Sequence, residues 1–191
     1  AARFREYRKA KGALEHLTVL IDAGGKQLDY LNSVLDELAR TGTEHDLEEI
    51  REELLATGLI RLKREKKQKR PRPAEPRRFK TRDGLEILVG RNNMQNDELT
   101  TKIARRTDYW LHVKDLHGSH VILRCEGQEP SEEALEDAAL LAVRYSQAAD
   151  QGRAAVACTM VRNVKKPSGA LPGKVIYQNY RTILVRMKGE T

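Results

Sequence analysis

The stretch DYWLHVKDLHGSHVILR, residues 108–124, decides how the second half of this 191-residue chain is read. Successive side chains on a strand point to opposite faces. From Tyr109 onward one face takes Tyr109, Leu111 and Val113, and the other takes Asp108, Trp110, His112 and Lys114. Around the turn at Asp115–Gly118 a second strand repeats the pattern, with Val121, Leu123 and Cys125 opposite His120, Ile122 and Arg124. Paired as a hairpin, the two strands place Trp110, His112, Lys114, His120 and Arg124 on one surface. An indole, two imidazoles and two cations suit stacking of bases and contact with phosphates. An acid-base centre would need a nucleophile or second titrating group, and Ser119 beside His120 offers only adjacency; two further alternatives stand beside the binding reading. One makes Trp110 a core residue and His112 or His120 satisfied structural histidines. The other makes His112, His117 and His120 a metal site, although the H-x4-H-x2-H spacing lacks HExxH or an accompanying carboxylate.

Outward from the hairpin, the pattern predicts alternating strands and few helices. Arg78–Gly90 reads as a hairpin turning at Asp83-Gly84, with Leu85, Ile87 and Val89 alternating. Asn96 is the expected cap of a short helix whose first turn holds Asp97 and Glu98, with Leu99 and Ile103 facing the core. The acidic pair there argues against a phosphate at that helix N-terminus. Ser131 with Glu132 and Glu133 starts a helix that buries Leu135, Ala138, Ala142 and Tyr145. Strands follow at 154–161, 174–177 and 182–187. The order ββαββαβββ predicts an α+β fold and not a doubly wound parallel sheet.

The first forty residues keep a heptad: Tyr7, Leu14, Ile21, Leu28 and Leu35, with Ala10, Leu17, Gly24, Leu31 and Leu38 three later. Gly24-Gly25 predicts a kink or break, since each glycine costs about 1 kcal/mol inside a helix. Thr43 and Asp46 resemble a capping box opening a second helix to Gly58. This helix is too short to cover the seam of the first, so an upstream segment or a second copy of the chain is the expected partner. The domain reading is a helical coiled-coil segment over 1–60, a basic proline-containing linker over 61–77, and an α+β domain over 78–191.

Charge supports a polyanionic partner. The net charge is +7, yet residues 61–82 hold twelve Lys/Arg against two Glu, which gives +10 there and leaves −3 for the rest. A solvated, self-repelling linker is the competing reading. Lys165, Lys166 and Lys174 lie in two loops shaped by proline and glycine, and Arg91 with Asn93 precedes the Asn96 helix; these complete the expected nucleic-acid-binding set. No nucleotide-hydrolysing loop, catalytic group, metal or cofactor is read. Cys125 and Cys158 are expected to be reduced, buried thiols. No run approaches the roughly 20 apolar residues of a membrane span, so a cytoplasmic protein is expected.

Three blocks, DGLEILVGRNNMQNDELTTKIA, DYWLHVKDLHGSHVIL and VKKPSGALPGKVIY, resemble the NFACT-R domain, and residues 3–17, 28–40 and 46–60 resemble the returning half of the coiled coil that precedes it. The chain departs from the family in carrying His117 where proline is common, and in the weakly charged segment IDAGGK. The resemblance implies the C-terminal part of an RqcH-like ribosome quality-control factor, of the fibronectin-binding-protein-like group related to NEMF. It further implies the large ribosomal subunit and tRNA as partners, support for template-independent alanine tailing, and no catalytic residue in this region. An adhesin-like protein-binding module and a metal-dependent RNA-processing enzyme are the rival functions.

Overall fold

The structure, a computed structural model, describes residues 2–61 and 74–187. Most of the basic segment, 62–73, therefore lies outside the described residues. Helix α1 spans Ala2–Arg40 without interruption. The break expected at Gly24-Gly25 does not occur: an Asp22–Lys26 ion pair at 2.6 Å bridges the two glycines one turn apart, inside a helix long enough to absorb their propensity cost.

Helix α2 (Glu44–Ala56) opens as predicted, with the Thr43 hydroxyl accepting Asp46 N–H at 3.1 Å. It packs against a stripe of α1 that buries Tyr30, Val34 and Glu37, and Tyr30 and Val34 form a small core with Ile50. The heptad seam lies beside this stripe and stays exposed; Ile21 is 73% accessible and Leu28 61%.

The α+β domain is built on a six-stranded antiparallel sheet. Its strands are β1 (Arg77–Lys80), β2 (Glu86–Val89), β3 (Tyr109–Val113), β4 (Val121–Leu123), β5 (Arg153–Met160) and, after a separate two-stranded ribbon, β8 (Arg181–Arg186). The spatial order is β1-β2-β4-β3-β5-β8. The hairpin of residues 108–124 forms as read, with Trp110 opposite Ile122 and Leu111 opposite Val121. The ribbon pairs β6 (Val164–Lys165) with β7 (Ile176–Tyr177); β6 was missing from the sequence reading because two residues carry no periodicity.

Two layers cover the sheet. Helix α4 (Glu132–Arg144), capped by Ser131, buries Leu135, Ala138 and Ala142 against Ile87, Val89, Leu111, Val113, Val121 and Val156. Its alanines let helix and sheet approach closely, and apolar burial of this kind contributes about 25 cal/mol per Å². The opposite face, with Leu88, Trp110, Ile122 and Ala157, lies under Leu99, Val161, Ile103, Val164 and Tyr177.

That second layer begins with α3 (Asn93–Glu98) and a π-helical turn at Leu99–Ile103, closed by Ala104 N–H to Leu99 O at 2.8 Å. The cap is Asn92, whose side chain accepts Gln95 N–H at 2.8 Å, and not Asn96. The helix thus starts earlier than expected, and Asp97 and Glu98 stand at its end. Asn96 is buried, and its side-chain oxygen accepts the His120 N–H at 2.9 Å.

Candidate nucleic-acid interface

Burial overturns the open aromatic surface expected from the hairpin. Trp110 is 1% exposed and His120 2%, because residues 93–104 and 161–177, distant in sequence, close over their face. Within that layer the rings pack together. Trp110 stacks on His112 with centroids 5.6 Å apart, meets His120 edge-on at 5.2 Å and lies 5.0 Å from Tyr177. His120 Nδ1 stands 2.8 Å from the Thr100 hydroxyl, which the π-helical turn presents, and 3.1 Å from Asn96 O.

Burial pushes His112 down to about 4 and His120 down to about 3, so both rings are neutral at pH 7. Trp110 Nε1 has no hydrogen-bond partner among the described residues. The three histidines do not act as a ligand set: His112 Nε2 faces Gly118 O at 3.3 Å, His117 faces Asp29 at 3.7 Å, and His120 is held by Thr100 and Asn96.

Most of the expected phosphate-binding cations are engaged within the protein. Arg124 pairs with Glu86 at 3.3 Å, and Lys114 lies over the Tyr180 ring at 5.1 Å. Lys166 pairs with Asp97, whose other oxygen accepts Gly173 N–H at 3.0 Å, so this carboxylate holds the 163–173 loop in place. Lys174 reaches Asp29 on α1 at 3.0 Å. Lys165 is exposed and makes no ion pair among the described residues.

Arg91 and Asn93 brace the arm. Arg91 pairs with Asp46 at 3.2 Å, and buried Asn93 donates to Ser33 Oγ at 3.0 Å. Beside them Glu53 accepts from Tyr30 Oη at 2.6 Å and from Met94 N–H at 3.2 Å. The sequence reading assigned these polar residues to RNA because it could not see that α1 and α2 dock onto α3.

A different basic patch was missed. Arg105, Arg106, Arg162 and Lys165 are exposed, and none makes an ion pair among the described residues. Buried Asp108 joins the two turns that carry the three arginines, and Lys165 follows on β6. The Asp108 carboxylate accepts Arg105 N–H at 2.8 Å and its carbonyl accepts Val161 N–H at 2.9 Å, while Arg162 N–H donates to Arg106 O at 3.2 Å. The adjacent Arg105-Arg106 pair was visible in sequence, but its proximity to Arg162 depends on β3 pairing with β5.

Two adjoining cavities share Asp29, His112, Gly173 and Lys174. The larger, about 690 Å³, lies between α1 and the 167–174 loop. The smaller, about 320 Å³, is walled by Trp110, His112, His120 and Tyr177. Gly118 permits the close approach beneath them, since a Cβ there would stand 2.6 Å from Ser146 Cβ.

Among the described residues no helix is long and apolar enough to cross a membrane. Comparison with known proteins converges on one family. Residues 76–179 match the NFACT protein RNA binding domain, and residues 1–73 match the NFACT N-terminal and middle domains. The chain is 38% identical over its whole length to the Rqc2 homolog RqcH of Bacillus subtilis (strain 168), covering 33% of that protein. It is 40% identical over 95% of its length to the RqcH of Streptococcus suis (strain 05ZYH33), covering 32% of it. The chain thus spans about a third of the length of these curated relatives. Its fold matches the solved C-terminal structure of the fibronectin/fibrinogen-binding protein from Streptococcus suis with a TM-score of 0.89 and 39% identity, over 98% of this chain and 74% of that one. With both segments matched in order, and the hairpin, arm and sheet accounted for, the chain belongs to the NFACT family.

Proposed function

We propose that this chain is the RNA-gripping part of a ribosome quality-control factor, holding the large ribosomal subunit and tRNA while the factor supports alanine tailing of stalled nascent chains. One observation carries the reading: Arg105, Arg106 and Arg162 stand together on two joined turns, exposed and without an ion pair among the described residues, with exposed Lys165 three residues further along the chain, on a domain of the RNA-binding type. A cation already held by a carboxylate gains little by moving to a phosphate, whereas an unpaired one releases condensed counterions for the full effect. Residues 61–76, with eight Lys/Arg against two Glu, lead in sequence into β1 of the same domain. No bond-making or bond-breaking step is assigned to this region, and its action is to bind and position.

The test is titration of tRNA and of large ribosomal subunits with the chain across a salt series. A logarithmic affinity falling linearly with logarithmic salt, by roughly 0.7 to 0.9 per phosphate engaged, is the expected result. An affinity indifferent to salt overturns the reading. The likeness to the fibronectin/fibrinogen-binding protein of Streptococcus suis favours a second reading, adhesion through the exposed seam of α1. Saturable fibronectin binding unchanged by deletion of residues 61–73 would establish it.

A further inference from the structure

We propose that β8, the open edge of the six-stranded sheet, receives an extended acidic peptide of a partner protein as a seventh strand. This surface is separate from the basic patch described above and adds a protein-directed contact to the RNA-binding reading.

The hydrogen-bonding phase of β8 leaves its edge open. β8 is the last strand in the spatial order and pairs with β5 alone. Met187 N–H donates to Gly152 O at 3.1 Å, and alternation carries that phase back along the strand, so Val185, Ile183 and Arg181 turn their backbone groups to β5. The N–H and C=O of Thr182, Leu184 and Arg186 therefore point out of the sheet, and no hydrogen bond among the described residues takes them up. All three residues are exposed, and Leu184, between the other two, is 81% accessible. An unpaired edge with an apolar residue at its centre is a template for strand addition. The opposite edge is not equivalent, because β1 has four residues and follows Pro76, whereas β8 has six and contains no proline.

Charge selects the occupant. Arg153 stands directly opposite Arg186 in the β5–β8 register, and both are exposed with no ion pair among the described residues. Like charges directly opposed across a sheet repel, and a carboxylate reaching this end of β8 relieves both. Arg181 marks the other end, held by Glu132 of α4 at 2.9 Å, and β8 itself contains no acidic residue. A second copy of the chain fits poorly, since β8 against β8 gathers two sets of these arginines along one seam. RNA can meet the arginines but has no ladder of alternating N–H and C=O for the edge. A strand that alternates acidic with apolar residues satisfies the backbone, Leu184 and the arginines together.

The probe is a short peptide of alternating glutamate and valine, compared with the same sequence methylated at every backbone nitrogen, which keeps charge and side chains and loses the donors. Each is titrated into the chain while amide hydrogen exchange is followed residue by residue. The expected result is at least about tenfold tighter binding of the unmethylated peptide, with exchange at Thr182, Leu184 and Arg186 slowed at least about tenfold on saturation. Leu184→Pro removes one outward donor, leaves the bonds to β5 in place and should abolish binding while keeping native circular dichroism. The double variant Arg153→Glu with Arg186→Glu should transfer preference to a lysine–valine peptide, a reversal that a damaged edge does not give. Equal affinity for the methylated and unmethylated peptides, failure of the glutamate–valine peptide to bind, or binding without protection of the three amides overturns strand addition. Protection of those amides by dimerisation of the free chain, or by a uridine oligonucleotide, makes the occupant a second copy or RNA and overturns the acidic peptide.

Discussion

The side-chain oxygen of Asn96 accepts the backbone N–H of His120 at 2.9 Å, fastening the second layer of the domain to the start of β4. Both residues are buried, so a lost acceptor cannot be replaced by bulk water. Asn96→Ala strands a buried donor and should destabilise the domain by about 1–3 kcal/mol. Urea unfolding measures this, and a change below about 0.5 kcal/mol would contradict the role.

Two histidines, His120 buried and His112 half-buried, set an acid limit on stability. In the unfolded chain a histidine titrates near 6.5, whereas burial holds His112 near 4 and His120 near 3. Between pH 6.5 and 4 the unfolded state therefore binds more protons, and stability falls as pH falls, by up to about 1.4 kcal/mol per pH unit for each histidine. His112→Gln should remove about one histidine's share of that slope when urea midpoints are compared at pH 7, 6 and 5. An unchanged slope would show that His112 titrates normally.

Glu37 acts with the opposite sign. It is buried in the α1–α2 junction with Oε2 unpartnered among the described residues, and burial, reinforced by the Glu53 charge, holds its pKa well above the usual carboxylate range. Between the unfolded value near 4.5 and the raised folded value, the folded state binds the extra proton, so stability is lost as pH rises. Glu37→Gln removes this loss, and the variant should gain on the native chain as pH increases. Thermal midpoints at pH 5 and pH 8 check it, and a constant offset between the two pH values would contradict the assignment.

The fold was legible because period-two alternation and turn residues are local signals. They located the β1–β2 and β3–β4 hairpins and the α4 face, and the capping pattern at Thr43 located α2. The site was less legible because exposure is not local. Nothing within residues 108–124 shows that Leu99, Val161 and Tyr177 cover Trp110. Likewise Lys166, Lys174 and Arg91 look free in sequence, and only long-range packing brings each to Asp97, Asp29 or Asp46. The same long-range pairing assembled the patch that no single segment announces.

That contrast between held and unheld cations separates two classes of variant. Arg162→Ala and Lys165→Ala remove charges that face solvent without a carboxylate partner among the described residues. Each should weaken binding to all RNA sequences alike and lower the salt slope by about 1, because phosphate contacts carry no base information. Lys166→Ala removes a charge that Asp97 already neutralises and leaves the loop-holding carboxylate with only the Gly173 N–H. It should change the salt slope little and show itself mainly as altered stability. Filter binding of tRNA over a salt series, run beside urea unfolding for the three variants, measures both quantities. A slope change for Lys166→Ala equal to that for Arg162→Ala would mean that the ion pair opens to receive phosphate, and the distinction between paired and unpaired cations would fall.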